Sequence, residues 1–148
     1  MAEQIAVEAP DVAERVTVVA PGQEFDAGVT VRAVGEWHAV IHEEIPRIHN
    51  CGYLVAAEEA LVYHPGDAFT LPEHEIDLLL APVCAPWSKT SEVIDFVRAV
   101  GARRTAAIHD LVFSDFGLGL VDSMLGKALE GRDQDYQRVV PGNDLLDA

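Results

Sequence analysis

Two histidines and one aspartate stand at comparable points of an apolar framework. His38 closes "VTVRAVGEWH", Asp67 follows the run "ALVY" and the turn "HPG", and His109 closes "RRTAAIH". Each of these runs reads as a strand, so each side chain stands where a strand gives out. In layered α/β folds such ends converge on one rim of the sheet, where ligands bind. Neutral imidazole together with carboxylate suits Zn²⁺, Mn²⁺ or Fe. The same residues also carry a plainer reading. An Asp after Pro65-Gly66 readily accepts hydrogen bonds from the N–H groups of its own turn, and a single strand-end His is commonly just a hydrogen-bonded side chain.

The remaining histidines are spread around these three. His42 would share a face with His38 on a helix, but Pro46 and the preceding strand make "HAVIHEEIPRIHN" a loop. His49, next to Asn50, either lines the same rim or is a surface group. His64 precedes a proline and packs behind the turn, and His74, among acids in "LPEHEID", is solvated. Trp37 and Trp87 flank the rim, as pocket walls or as ordinary core aromatics. Other catalytic signatures are missing: there is no GxSxG, no P-loop and no GxGxxG, and "GLGL" at 117–120 lacks the third glycine.

The elements that must position these groups follow from the pattern. The chain has 148 residues, 49% of them hydrophobic, which is enough for one α/β domain with a sizeable core. Residues 1–15 are Ala- and acid-rich and read as a loose lead-in or frayed helix, with the domain proper at 16–148. "RVTVVA" reads as a strand that turns at Pro21-Gly22 into a second pairing segment. "VTVRAV" alternates as a half-buried strand does. "CGYLVAA" and "ALVYH" form a hairpin about Glu58-Glu59, and the continuous run "IDLLLAPV" is a central strand buried on both faces. Val93, Phe96, Val97 and Val100 recur at helical spacing between a Ser88 cap and a Gly101 stop. "DFGLGLVDSMLGKALEG" reads as a second helix, weakened by Gly117, Gly119 and Gly126. "YQRVVPGNDLL" closes with a short strand and a turn.

Charge narrows the partners. Ten basic residues stand against 25 acidic ones, for a formal net charge of −15. Such a surface repels phosphate backbones and anionic lipid, so neither nucleic acid nor membrane is an expected partner. The N-terminus lacks the basic start and apolar stretch of a signal peptide. Cys51 and Cys84 are isolated and read as reduced thiols, and the expected compartment is the cytoplasm.

"VTVRAVGEWHAVIH", "IPRIHNCGYLV", "VYHPGDAF", "IDLLLAPVCAPW", "EVIDFVRAVGARRTAAIHD" and "VVPGNDLL" together resemble the metallo-β-lactamase superfamily, in its lactonase-like branch of metal-dependent hydrolases. The resemblance runs from about Val16 to Leu146. It implies that His38 completes one metal site, that Asp67 bridges two metals and orients the hydroxide nucleophile, and that His109 completes the second site. The cofactor it implies is a pair of divalent ions, Zn²⁺ or Mn²⁺. The substrate it implies is a small ester, lactone, amide or phosphodiester. Family members also carry an HxHxDH motif in an N-terminal half, and this sequence has none. The resemblance is therefore to the C-terminal half of an αββα sandwich, one mixed sheet with helices on one face. Two expectations follow. As a truncated or split hydrolase, the isolated chain is inactive; alternatively it is a non-catalytic module that associates with itself or a partner. In either case the uncovered sheet face calls for a homodimer or a separate N-terminal half.

Overall fold

A computed structural model describes residues 2–139 and 142. Two short helices, α1 (Ala2–Glu8) and α2 (Pro10–Ala13), bury no residue. Seven strands follow: β1 (Glu24–Asp26), β2 (Thr30–Val34), β3 (Gly52–Ala57), β4 (Ala60–His64), β5 (Leu78–Pro82), β6 (Arg104–Ile108) and β7 (Asp135–Gln137). Helix α3 (Thr90–Val100) links β5 to β6, and α4 (Asp115–Leu129) links β6 to β7. The spatial order is the chain order, β1 to β7. The first four strands form an antiparallel meander, and β4 to β7 run parallel. The class is mixed α/β, as the sequence pattern implies, with "IDLLLAPV" central between β4 and β6.

One face of the sheet carries the core. Leu54 lies opposite Tyr63 in the hairpin and Tyr63 opposite Leu79, so the three share a face. Val93, Phe96 and Val97 of α3 and Val121, Leu125 and Leu129 of α4 pack on that face. Burying each of these side chains is worth about 1.5–3 kcal/mol, and this holds α4 helical despite its three glycines. The opposite face shows Val55, Val62, Leu78 and Leu80, all only half-buried.

Two local readings are corrected. Val16–Ala20 forms no strand: pairing with β2 starts only at Gly22, whose N–H donates to the Ala33 carbonyl at 2.8 Å, and goes on with the Ala33 N–H donating to the Gln23 carbonyl at 2.9 Å. Val18 stands 72% exposed, with no neighbouring strand to pack on. The cap of α3 is Lys89 rather than Ser88, because the Glu92 carboxylate reaches back to accept the Lys89 N–H at 2.8 Å. Ser88 Oγ instead donates to the Ala85 carbonyl at 3.2 Å. Helix α4 starts at Asp115, where the run "DFGLGLVDSMLGKALEG" begins, under a Ser114 cap. Gly101 ends α3 at φ 71°, as expected. The closing turn expected in "PGNDLL" lies, but for Gly142, outside the described residues. Among those described, no helix is long and apolar enough to cross a membrane.

Candidate metal centre

Asp67 sits on a turn that is braced from three sides. Strand β4 ends at His64, Pro65 is buried, and Gly66 turns the chain at φ 66°. The Gly66 N–H donates to His64 Nδ1 at 3.0 Å. Asn50 clamps the turn with both ends of its amide: Nδ2 donates to the Pro65 carbonyl at 3.0 Å, and Oδ1 accepts the Asp67 N–H at 2.9 Å. The Ala39 N–H donates to the Asp67 carbonyl at 2.8 Å, which ties the turn to the His38 loop. A Cβ on Gly66 would stand 2.3 Å from Asn50 Oδ1, so the clamp requires glycine there.

His38 is not at a strand end. Strand β2 stops at Val34, and Gly35 at φ 74° turns the chain into a loop. The loop is folded back on itself: Trp37 bridges His49, the His38 N–H donates to the Ile48 carbonyl at 3.0 Å, and Arg47 Nε donates to the His38 carbonyl at 2.6 Å. These contacts bury His38 to 8% exposure. His109 does follow its strand directly, in the left-handed conformation at φ 56°. A non-glycine residue there costs about 1–2 kcal/mol and persists only where its surroundings hold it.

The three side chains meet. His38 Nε2 lies 3.8 Å from one carboxylate oxygen of Asp67, and His109 Nε2 lies 3.4 Å from the other. Each ring is anchored by its other nitrogen, His38 Nδ1 at 2.6 Å from the Ala39 carbonyl and His109 Nδ1 at 2.6 Å from the Cys84 carbonyl. A carbonyl only accepts, so both Nδ1 atoms carry the proton; in the neutral rings both Nε2 atoms then turn a lone pair toward Asp67. Two imidazole nitrogens and a carboxylate disposed in this way are groups that could together hold a cation. The spacing fits one: at bonds of about 2.0–2.2 Å in tetrahedral geometry, two donors on one ion stand about 3.4 Å apart. The carbonyl partners of the two rings are the kind that fix a ligating His. Among the described residues, however, no group of three or more His, Cys, Asp or Glu side chains is arranged to hold an ion by itself.

Trp87 supplies a wall, edge-on to His38 at 5.8 Å and to His109 at 6.4 Å between ring centroids, with Phe69 behind it at 5.0 Å. The other proposed lining residues make contacts within their own loop. Trp37 stacks on His49 at 4.3 Å, and both are exposed. His42 is exposed and faces its own neighbour, with Nδ1 accepting the Glu44 N–H at 3.2 Å. Cys51 and Cys84 are free thiols, and burial pushes that of Cys84 up.

Two bracing residues were not found from sequence. The role of Asn50 had a faint signal, a polar residue directly before a strand. The other is Arg138, whose guanidinium bridges Asp110, next to His109, and Asp122 of α4, with the Tyr136 hydroxyl donating to Asp122 at 2.6 Å. Burial pushes the Asp122 carboxyl up, but the hydrogen bonds from Arg138 and Tyr136 outweigh it and hold the group below its ordinary value. No local spacing signals a contact between residues 28 positions apart.

Comparison with known proteins bears on the family and the fold. The family described as "Beta-lactamase superfamily domain" matches residues 6–109. Protein Rv0786c of Mycobacterium tuberculosis is 42% identical over 113 residues, which are 75% of this chain and 52% of that protein. The chain thus spans about half the length of this curated relative. Among solved structures, a protein of Parabacteroides distasonis classed as a metal-dependent hydrolase superposes with a TM-score of 0.65 at 20% identity, over 86% of this chain and 59% of the other. Igni18, a metallo hydrolase of the archaeon Ignicoccus hospitalis, superposes with a TM-score of 0.62 at 13% identity, over 90% of this chain and 63% of the other. These two likenesses bear on the fold alone. With more than half of its residues matched by the family, the chain belongs to the β-lactamase superfamily and has the metallo-β-lactamase fold.

Proposed function

We propose that the chain contributes one side of a metal-dependent hydrolase centre, with His38, Asp67 and His109 as its metal donors. The observation that carries this is the pair of anchored rings, each turning its Nε2 toward a different oxygen of the same carboxylate. The ion is Zn²⁺ or Mn²⁺, to which imidazole and carboxylate are suited. When bound, such an ion supplies Lewis acidity and lowers the pKa of water into the neutral range. Asp67, with an oxygen toward each histidine, orients the attacking water by accepting its proton in a hydrogen bond. Trp87 and Phe69 keep bulk water from the far side of both rings. The substrate is a small ester, lactone, amide or phosphodiester.

Three donors shared over one or two ions fall short of the three protein ligands per ion, with one open position, usual in catalytic zinc sites. The complete centre therefore needs donors from a complementary half, and the half-buried face of Val55, Val62, Leu78 and Leu80 is where we seat that half. By itself the chain is inactive. Addition of Zn²⁺ or Cd²⁺ to ¹⁵N-histidine-labelled protein tests the donor assignment. The Nε2 signals of His38 and His109 are expected to shift while those of His42 and His49 stay in place. The reverse pattern, or no shift, would defeat it.

A second reading, a non-catalytic module that keeps the fold and associates, is favoured by the lack of any self-sufficient group of metal donors among the described residues. The metal content of protein purified without chelator separates the two: tightly held metal supports the centre, and metal-free protein supports the module.

A further inference from the structure

Helix α4 is apolar on two sides. Val121, Leu125 and Leu129 face the sheet and are buried. On the outer side Phe116, Leu120 and Met124 stand 80%, 40% and 44% exposed. Spaced four apart, they form one ridge along the helix. Beside them runs a shallow groove of about 450 Å³, whose floor is Gly119 and Ser123 and whose two ends are Asp115 and Lys127. Nothing lies within 4 Å of a Cβ built on Gly119, so the groove is open to another backbone. Leu111, Val112 and Phe113, just before the helix in the chain, are exposed as well. On a chain with 25 acidic and 10 basic residues, so large an apolar patch is a marked departure from the rest of the surface.

From this stripe we infer that α4 docks against α4 of a second copy of the chain, antiparallel, about a two-fold axis. The order of residues along the helix is self-complementary for that pairing alone. Asp115 and Lys127 are equidistant from position 121, each about 9 Å along the axis from it at a rise of ~1.5 Å per residue. A two-fold axis at that level sets Asp115 against the partner's Lys127, and Lys127 against the partner's Asp115. The same axis sets Gly119 against the partner's Ser123, two small residues where the backbones come nearest. Phe116 then falls between the partner's Met124 and the partner's Lys127, covering apolar surface on both. A parallel pairing would instead put Asp115 beside the partner's Asp115. Contacts of this reciprocal kind are what a closed two-fold interface requires. Neither Asp115 nor Lys127 has an ion-pair partner among the described residues, so both charges are available across the axis.

The test is sedimentation of the full chain over a dilution series at physiological salt, with two single charge variants and their mixture. Wild type is expected to dimerise. Asp115→Lys places two lysines against each other at both ends of the interface, and Lys127→Glu places two acids there. Each is expected to weaken its own dimer by about tenfold, because the axis repeats the like-charge contact twice. Mixing the two variants restores opposite charges at both ends and is expected to give a mixed dimer of wild-type affinity. Leu120→Glu is expected to leave only monomer. A monomeric wild type overturns the proposal. So does a dimer that neither single variant weakens, since association then runs through another face such as that of Val55 and Leu80. Failure of the mixture to recover overturns the antiparallel register.

Discussion

The Asn50 clamp makes Gly66→Ala a demanding test of how Asp67 is held. Two costs can be worked from the structure. An alanine at φ 66° takes on the left-handed conformation, at about 1–2 kcal/mol. Its Cβ would also lie 2.3 Å from Asn50 Oδ1, so the amide must leave, and with it go the bonds to the Asp67 N–H and the Pro65 carbonyl. Each bond is worth about 0.5–1.5 kcal/mol, so the substitution costs about 2–5 kcal/mol in all. Asn50→Ala removes the same two bonds without strain, for about 1–3 kcal/mol. Because both act through one contact, their effects are not additive, and the double variant should be hardly less stable than Gly66→Ala alone. Urea unfolding with an unchanged m-value is the assay. Additive losses, or a Gly66→Ala cost below about 0.5 kcal/mol, the range of inert surface changes, would refute the clamp.

Arg138→Met leaves Asp110 and Asp122 without their shared cation and should cost about 2–4 kcal/mol, less than a fully buried ion pair because the carboxylates are partly exposed. The Asp122 carboxyl is held below its ordinary value, so its stabilisation is fully present above about pH 4 and is lost as pH falls below it. Acid titration of wild-type stability should show this loss, and the Arg138→Met titration should lack that part of it. Cys84 is fully buried and its thiol is pushed up by that burial, so maleimide at neutral pH should label Cys51 in the folded chain and reach Cys84 only in urea. Lactone and phosphodiester substrates should show little or no turnover by the isolated chain with added Zn²⁺ or Mn²⁺; turnover that disappears in His109→Ala would contradict the need for a complementary half.

What was legible in the sequence was what short-range pattern encodes. The two-residue alternation in "VTVRAV", the unbroken run "IDLLLAPV" and the helical spacing of Val93, Phe96 and Val97 each report a face that must be buried, and each element formed where its pattern lies. "RVTVVA" carries the same β-branched signal and formed no strand, because strand formation also needs a neighbour to pair with. The meeting of His38, Asp67 and His109 could be inferred because each follows an apolar run. The inference placed His38 at the strand end, yet the residue reaches the rim on a loop whose fold depends on the Trp37–His49 bridge and on Arg47. His42 and His49 lie in that loop and turn outward, a choice made by packing rather than spacing. Asn50 and Arg138 act across 17 and 28 positions respectively, and only the folded chain brings them to their partners.

His38, Asp67 and His109 are proposed to act as one set of metal donors. Equilibrium dialysis against Zn²⁺ tests this proposal most directly, with wild type, His38→Ala, Asp67→Ala and His109→Ala beside His42→Ala and His49→Ala. Loss of one donor from so small a set should weaken binding by at least about tenfold, the lower end of what even a supporting contact to a metal ligand contributes. That loss is expected in each of the first three variants, and wild-type affinity in the other two. Zn²⁺ bound equally well by all six proteins, or by none of them, would contradict it.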